Sequence, residues 1–266
     1  MPVVFFIQEY AAGASTGRVI LYFGVAEPLL EFLQRDDLAV TLLLFFSGLF
    51  TPCVRISADF LQVQNAYLQS ETAAKGITDI VDLTPIQPGL YLWQGDITTL
   101  KCEAIVNAAN AGMTGCYIPN HRCIDNAIHT YAGIELRIAC EELMERQGYP
   151  EPTGQAKITS AFNLPCRYIL HTVGPIINRQ VTERDRKLLA SCYHSCLALA
   201  AENGLESVAF CCISTGEFRF PNALAAEIAV ETVKDFLKKQ TSVKKVIFDV
   251  FTDMYKAIYE KLLRAD

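Results

Sequence analysis

From Gly89 onward, short apolar runs alternate with longer amphipathic ones, a pattern that few folds accommodate. The runs Leu90–Trp93, Ala104–Val106, Lys157–Phe162, Tyr168–Val173, Val208–Ile213 and Val246–Phe251 have the length of strands. Several are apolar at consecutive positions, as strands covered on both faces are. Helical patterns fill Ile124–Gln147, Thr182–Asn203, Pro221–Lys239 and Asp253–Leu263. In the third, Leu224, Ile228, Ala229, Val233 and Phe236 share one face, and Pro221 stands where a helix does not need its N–H. Strands alternating with helices predict a three-layer α/β domain with a mixed, largely parallel central sheet flanked by helices. Ligands of such sheets bind beyond the carboxyl ends of the strands, so those loops carry the functional question.

Residues 1–85 read as an N-terminal extension and residues 86–266 as the α/β domain, with Pro85, Pro88 and Gly89 at the break. The extension has helix-like patches at Glu27–Gln34 and Phe60–Glu71. Its apolar stretch Leu38–Phe50 is too short to span a bilayer. No positive segment precedes Val3–Ile7, so no secretory signal is expected. The ten cysteines are spread too thinly for a disulfide scaffold. Cys192 and Cys196 sit four apart in a helical pattern, and Cys211 and Cys212 are expected on opposite faces of one strand. Reduced thiols in a cytoplasmic protein are the expectation. A net charge of −6 gives no electrostatic footprint for nucleic acid or an anionic membrane, and neither partner is expected. An anionic ligand would have to be held by local backbone N–H groups.

Four expected strand ends are unusual. Gly95-Asp96-Ile97-Thr98 follows the first strand and Asn107-Ala108-Ala109-Asn110 the second. Ser214-Thr215-Gly216-Glu217-Phe218 follows the fifth, and Phe251 closes the sixth. Singly, each has a plain reading as a turn or a helix cap. Together with Ile128-His129, His171-Thr172-Val173-Gly174-Pro175 and Ile213-Ser214-Thr215-Gly216, they resemble the macrodomain family from about Leu90 to Leu263. The resemblance implies an ADP-ribose cleft. Asp96 would accept from the adenine amino group with the Ile97 backbone alongside, and Phe251 would lie near the ring. Backbone N–H groups of Ser214, Thr215, Gly216, Glu217 and Phe218 would cradle the pyrophosphate. Asn107 and Asn110 would hold the distal ribose, with Ile124 and Asp125 close by.

Many macrodomains carry a glycine run between the asparagine-bearing strand end and the next helix. This chain instead has Gly115-Cys116-Tyr117-Ile118-Pro119-Asn120-His121-Arg122-Cys123. Cys116, His121 and Cys123 are three zinc-competent ligands within eight residues, with no fourth nearby in sequence. Three protein ligands and one open position are the arrangement of a catalytic zinc site; structural sites are usually closed by four. By spacing alone, two buried cysteines beside a surface histidine remain the alternative. The loop also resembles the zinc-containing macrodomain subfamily. That resemblance implies Zn2+ as cofactor and hydrolysis of mono-ADP-ribose from modified protein side chains, often acidic ones. It also implies a link to a sirtuin-like ADP-ribosyltransferase and a lipoate-carrying, glycine-cleavage-H-like substrate. The subfamily carries a helical N-terminal extension, whose end Gln64-Asn65-Ala66-Tyr67-Leu68 fits.

Asp125 falls in the first turn of the expected helix, where a simple cap is one reading and a catalytic carboxylate beside the metal the other. His129, at i+4 from Asp125, and His171, inside a strand, read as structural histidines. Asp249 stands where the subfamily leads one to expect Asn. Asn107, Asn110 and Asp125 are therefore the catalytic candidates. A non-catalytic ADP-ribose reader with a structural zinc is the rival. A Rossmann oxidoreductase fails for want of Gly-x-Gly-x-x-Gly, and a zinc deaminase for want of His-x-Glu with Pro-Cys-x-x-Cys.

Overall fold

A computed structural model describes residues 56, 58–118 and 121–264. The patches Glu27–Gln34 and Leu38–Phe50 lie outside them. The chain divides into two compact units, and Asn65–Cys116 with the chain from Cys123 onward forms the larger. Its strands are β1 (Thr78–Asp79), β2 (Leu90–Gln94), β3 (Leu100–Lys101), β4 (Ala104–Ala108), β5 (Ala156–Ser160), β6 (Tyr168–Thr172), β7 (Ser207–Phe210) and β8 (Lys245–Val250). Helix α1 (Ala58–Lys75) comes first. It is followed by α2 (Ile124–Ala132), α3 (Ile134–Gln147), α4 (Glu183–Glu202), α5 (Asn222–Leu237) and α6 (Asp253–Arg264).

Six strands form the central sheet in the order β2-β8-β7-β4-β6-β5, and β1 pairs with β3 separately. Every neighbouring pair in the large sheet is parallel except β5–β6, so the sheet is mixed and largely parallel. Helices flank it, with α2 on β4, α3 on β5, α4 on β5 and β6, and α6 on β2 and β8. The expected α/β architecture is therefore present. The consecutive apolar residues of the inner strands explain themselves here. Ile105, Val106, Ile169, Leu170, Ala209, Ile247 and Phe248 are all buried, and each large one contributes about 1.5–3 kcal/mol relative to exposure.

The caps are readable too. Thr182 accepts from the Asp185 N–H while the Asp185 carboxylate accepts from the Thr182 N–H, a capping box that starts α4 where the sequence placed it. Three boundaries differ from expectation. The helix expected over Ile124–Gln147 is two helices, because Gly133 takes φ 90° between them. The run Lys157–Phe162 ends as a strand at Ser160, and Phe162 turns the chain with φ 51°. The run Val208–Ile213 ends as a strand at Phe210, so Cys211 and Cys212 lie beyond β7 and not within it. No helix among the described residues is long and apolar enough to cross a membrane.

Candidate active site

β4 lies between β7 and β6 in the sheet, and its carboxyl end carries a buried asparagine opposite His171 of β6. Asn107 is 0% exposed. Its Nδ2 donates to Asp125 Oδ1 at 2.8 Å and lies 3.2 Å from His171 Nδ1. Asn110, three residues on, donates from Nδ2 to Asp125 Oδ2 at 3.2 Å and to the Gly115 carbonyl at 3.0 Å. The structure thus brings the three catalytic candidates together, with both oxygens of one carboxylate gripped by amides from one strand end. Burial pushes the Asp125 carboxyl up to about 6, although the Asn107 and Asn110 amides and the Arg137 charge pull the other way.

Asp125 is not the cap of its helix. That role falls to Cys123, whose Sγ accepts from the Asn126 N–H at 3.4 Å, so Asp125 is free to face the asparagines. Ile124 opens α2 and is half-buried against the core. His129, one turn after Asp125, is buried with Nε2 3.6 Å from Asp125 Oδ1 and with neither ring nitrogen hydrogen-bonded. Burial, then the neighbouring His171 and Arg137, hold its pKa well below the usual range, so it is neutral.

The metal candidates come next along the same loop. The ligand atoms of Cys116, His121 and Cys123 all lie within 4.8 Å of one another, and each residue is half-buried. Two thiols and an imidazole at that separation fit a zinc ion. Burial, with Cys116 adjacent, raises the Cys123 thiol to about 11. A second trio, His129, Cys140 and His171, is equally close and fully buried. There, however, His171 Nε2 sits 2.9 Å from the Thr159 hydroxyl and Nδ1 faces an amide donor, so both nitrogens are already used.

At the other end, β2 leads into Gly95 and Asp96. Asp96 caps a short 3-10 turn, Ile97–Thr99, by accepting from the Thr98 N–H at 3.0 Å and the Thr98 hydroxyl at 2.6 Å through Oδ1. Its Oδ2 accepts from Lys75 Nζ, at the end of α1, at 2.8 Å. Burial raises this carboxyl, but the Lys75 and Thr98 hydrogen bonds and the lysine charge outweigh it and hold the group below the carboxylate range. Ile97 is buried beside it, while Phe251 is 78% exposed just past β8. Asp249, on β8, is buried with Oδ1 unpartnered; burial, then the Asp96 charge, pushes its carboxyl well up.

Between the two ends lies the Ser214–Phe218 loop, which curls back on itself. Phe220 N–H donates to the Ser214 carbonyl at 2.9 Å and Arg219 N–H to the Gly216 carbonyl at 2.9 Å. Ser214 holds φ 65°, and Thr215 Oγ1 donates to the Cys212 carbonyl at 2.9 Å. The loop lies so close to Gly174 that a Cβ there would stand 1.9 Å from Ser214 Oγ and 2.9 Å from Ile213 Cγ2. That close approach is the physical need for glycine in His171-Thr172-Val173-Gly174. Tyr255 braces the loop from α6, 3.5 Å from the Thr215 carbonyl and 3.1 Å from Asn222 Oδ1.

Sequence reasoning missed Lys75, which reaches Asp96 from 21 residues away, and Thr159, which supports His171 from the edge strand. No motif marks either.

Geometry of this kind defines a class: α/β domains that take a ligand across the carboxyl ends of a mostly parallel sheet. Residues 106–229 match the Macro domain family. The chain is 57% identical over 216 residues to a protein-ADP-ribose hydrolase of Treponema medium, covering 80% of this chain and 83% of that protein. It is 51% identical over 217 residues to a protein-ADP-ribose hydrolase of Staphylococcus aureus (strain MSSA476), covering 81% of each. Among solved structures, the Trypanosoma brucei macrodomain in complex with ADP-ribose matches with TM-score 0.64 and 30% identity, covering 82% of this chain and 97% of that one. The chain belongs to the protein-ADP-ribose hydrolase family of macrodomain proteins.

Proposed function

We propose that this chain removes mono-ADP-ribose from modified protein side chains, with a zinc ion at Cys116, His121 and Cys123. The observation that carries the reading is the buried Asp125 carboxylate, clamped by Asn107 and Asn110 two residues after Cys123. Relatives at 57% and 51% identity are protein-ADP-ribose hydrolases, and a related macrodomain binds ADP-ribose, which supports both substrate and reaction.

On this reading Asp96 accepts from the adenine amino group beside the Ile97 backbone, and Phe251 supplies a ring face near the base. The Ser214–Phe218 loop receives the pyrophosphate on its backbone N–H groups. Asn107 and Asn110 orient the distal ribose. Asp125, its carboxyl pushed up to about 6 by burial, orients or deprotonates the attacking water at the anomeric carbon. A zinc ion would supply Lewis acidity and a bound water with a pKa of about 7. Linkage to an acidic side chain is the proposed substrate chemistry, and an ADP-ribosylated protein the partner.

Hydrolase and reader are separated by measuring zinc content, ADP-ribose affinity and turnover together on wild type, Cys123→Ala and Asp125→Ala. Asp125→Ala should keep zinc and much of its affinity yet lose about 10²–10⁴-fold in rate. Chelation should abolish turnover while the Asp96 and Ser214–Phe218 contacts sustain binding. Wild-type protein with full zinc that binds ADP-ribose but releases none from glutamate-, aspartate- or serine-linked carriers establishes the reader instead.

A further inference from the structure

One buried histidine stands directly behind the catalytic candidates and touches none of the proposed substrate. His171 on β6 pairs with Asn107 on β4 in the sheet register and is fully buried. Its Nδ1 is 3.2 Å from Asn107 Nδ2, and its Nε2 is 2.9 Å from Thr159 Oγ1 on β5. An amide nitrogen only donates, so Nδ1 must be the unprotonated, accepting nitrogen. Burial lowers the His171 pKa to about 3, so the ring is neutral and its single proton sits on Nε2, donating to the Thr159 hydroxyl oxygen. The other Asn107 amide hydrogen goes to Asp125 Oδ1. Both hydrogens are then spent inward, and Asn107 Oδ1 is left buried without a partner. Turned over, the same amide would set its oxygen against the Asp125 carboxylate, a repulsion that the other imidazole tautomer, donating to that oxygen from Nδ1, would leave in place.

We propose that His171, fixed by Thr159, is a positioning residue that orients the Asn107 amide with its nitrogen on Asp125 and its oxygen turned away from both acceptors. This rests on the hydrolase reading of the Asn107–Asp125 pair. The chain Thr159, His171, Asn107, Asp125 crosses β5, β6, β4 and α2, so three strands and a helix transmit the register of the core to one carboxylate. An unpartnered buried acceptor is costly, so this orientation of the amide is held against that cost by the two acceptors, His171 Nδ1 and Asp125 Oδ1, that take its hydrogens.

The test has two arms. Long-range 1H–15N spectra of protein labelled at histidine should show His171 unprotonated at Nδ1 and protonated at Nε2. A proton on Nδ1 overturns the proposal whether or not the protein turns anything over. In the kinetic arm, His171→Leu removes the acceptor and should lower kcat 10–100-fold, roughly the cost of losing an outer partner, with ADP-ribose affinity little changed. His171→Asn, whose carbonyl oxygen can replace Nδ1, should restore most of the rate. In an Asn107→Ala background His171→Leu should cost nothing further, whereas a merely structural histidine would cost the same in both. Where His171→Leu fails to fold, Thr159→Val, which keeps the shape and removes the hydroxyl, should still lower kcat and mix the two tautomers. Undiminished turnover in folded His171→Leu, or equal losses in both backgrounds, overturns the proposal. Absence of turnover in the zinc-loaded wild type refutes the hydrolase reading alone, and the tautomer measurement still decides the positioning.

Discussion

Acidification should weaken this fold through His171 by an amount that follows from its burial. The imidazole titrates at about 6.5 in an unfolded chain and at about 3 in the folded one, where burial penalises the charged ring. The folded value is the lower of the two, so stability is fully present above the unfolded value and is lost as pH falls below it. At pH 5 the folded ring is still neutral while the unfolded ring has taken up a proton, a gap of about 1.5 pH units below the unfolded value. At 1.36 kcal/mol per unit this is about 2 kcal/mol, of the order of a fifth or more of a typical domain's stability. Below about pH 3 both states are protonated and the loss stops growing. Carboxylates and His129 also titrate in this range, so the quantity to measure is a difference. Urea denaturation of wild type and His171→Asn at pH 7, 6 and 5 should show the gap between the two proteins narrowing by about 2 kcal/mol from pH 7 to pH 5. Parallel curves would mean that the folded ring already carries its proton near pH 6. Asn107 would then lose the Nδ1 acceptor as well.

Other perturbations have equally definite signs. Asp249→Asn should raise stability at pH 8 and flatten its pH dependence, since burial makes the carboxyl of the folded protein costly to ionise and wild-type stability is lost as pH rises; a loss of stability in urea melts would contradict this. Gly174→Ala forces a methyl into the 1.9 Å gap to Ser214 Oγ and should cost about 1–3 kcal/mol of stability along with a clear loss of ADP-ribose affinity by calorimetry. Asp96→Ala should weaken ADP-ribose by about 1–3 kcal/mol, and unchanged affinity would displace the adenine end of the site. Elemental analysis should find about one zinc per chain, lost in His121→Ala and kept in Cys211→Ser, whose thiol is buried beyond β7 and outside the Cys116–Cys123 loop.

What the sequence disclosed and what it hid divide along a physical line. Strand and helix periods are local, and the α/β alternation follows from them. The asparagines and the Cys–His loop are also local patterns, and the structure gathers them at one strand end. Boundaries were less legible because the apolar pattern continues past them. Gly133 interrupts a run that is amphipathic on both sides, and Cys211 extends an apolar stretch after the ladder has stopped at Phe210. Lys75 and Thr159 were invisible for a different reason. Each matters only through a partner brought near by the sheet and helix packing, and a lysine at a helix end or a threonine in a strand has no sequence signature of its own.

The strand order β2-β8-β7-β4 also acts as a ruler. Asp96 lies just past β2 and Asn107 near the carboxyl end of β4, three inter-strand steps apart, and at about 4.8 Å per step the two are separated by about 14 Å across the sheet. A molecule that engages both must reach that far, past the loop that follows β7. On the proposed reading, an adenine mononucleotide would satisfy only the Asp96 end, whereas a dinucleotide-length sugar–diphosphate–sugar would span both. Length selection of this sort needs no side chain to reject the shorter molecule, because the spacing of the hydrogen-bonded backbone sets it. It would survive substitutions that alter the chemistry at either end.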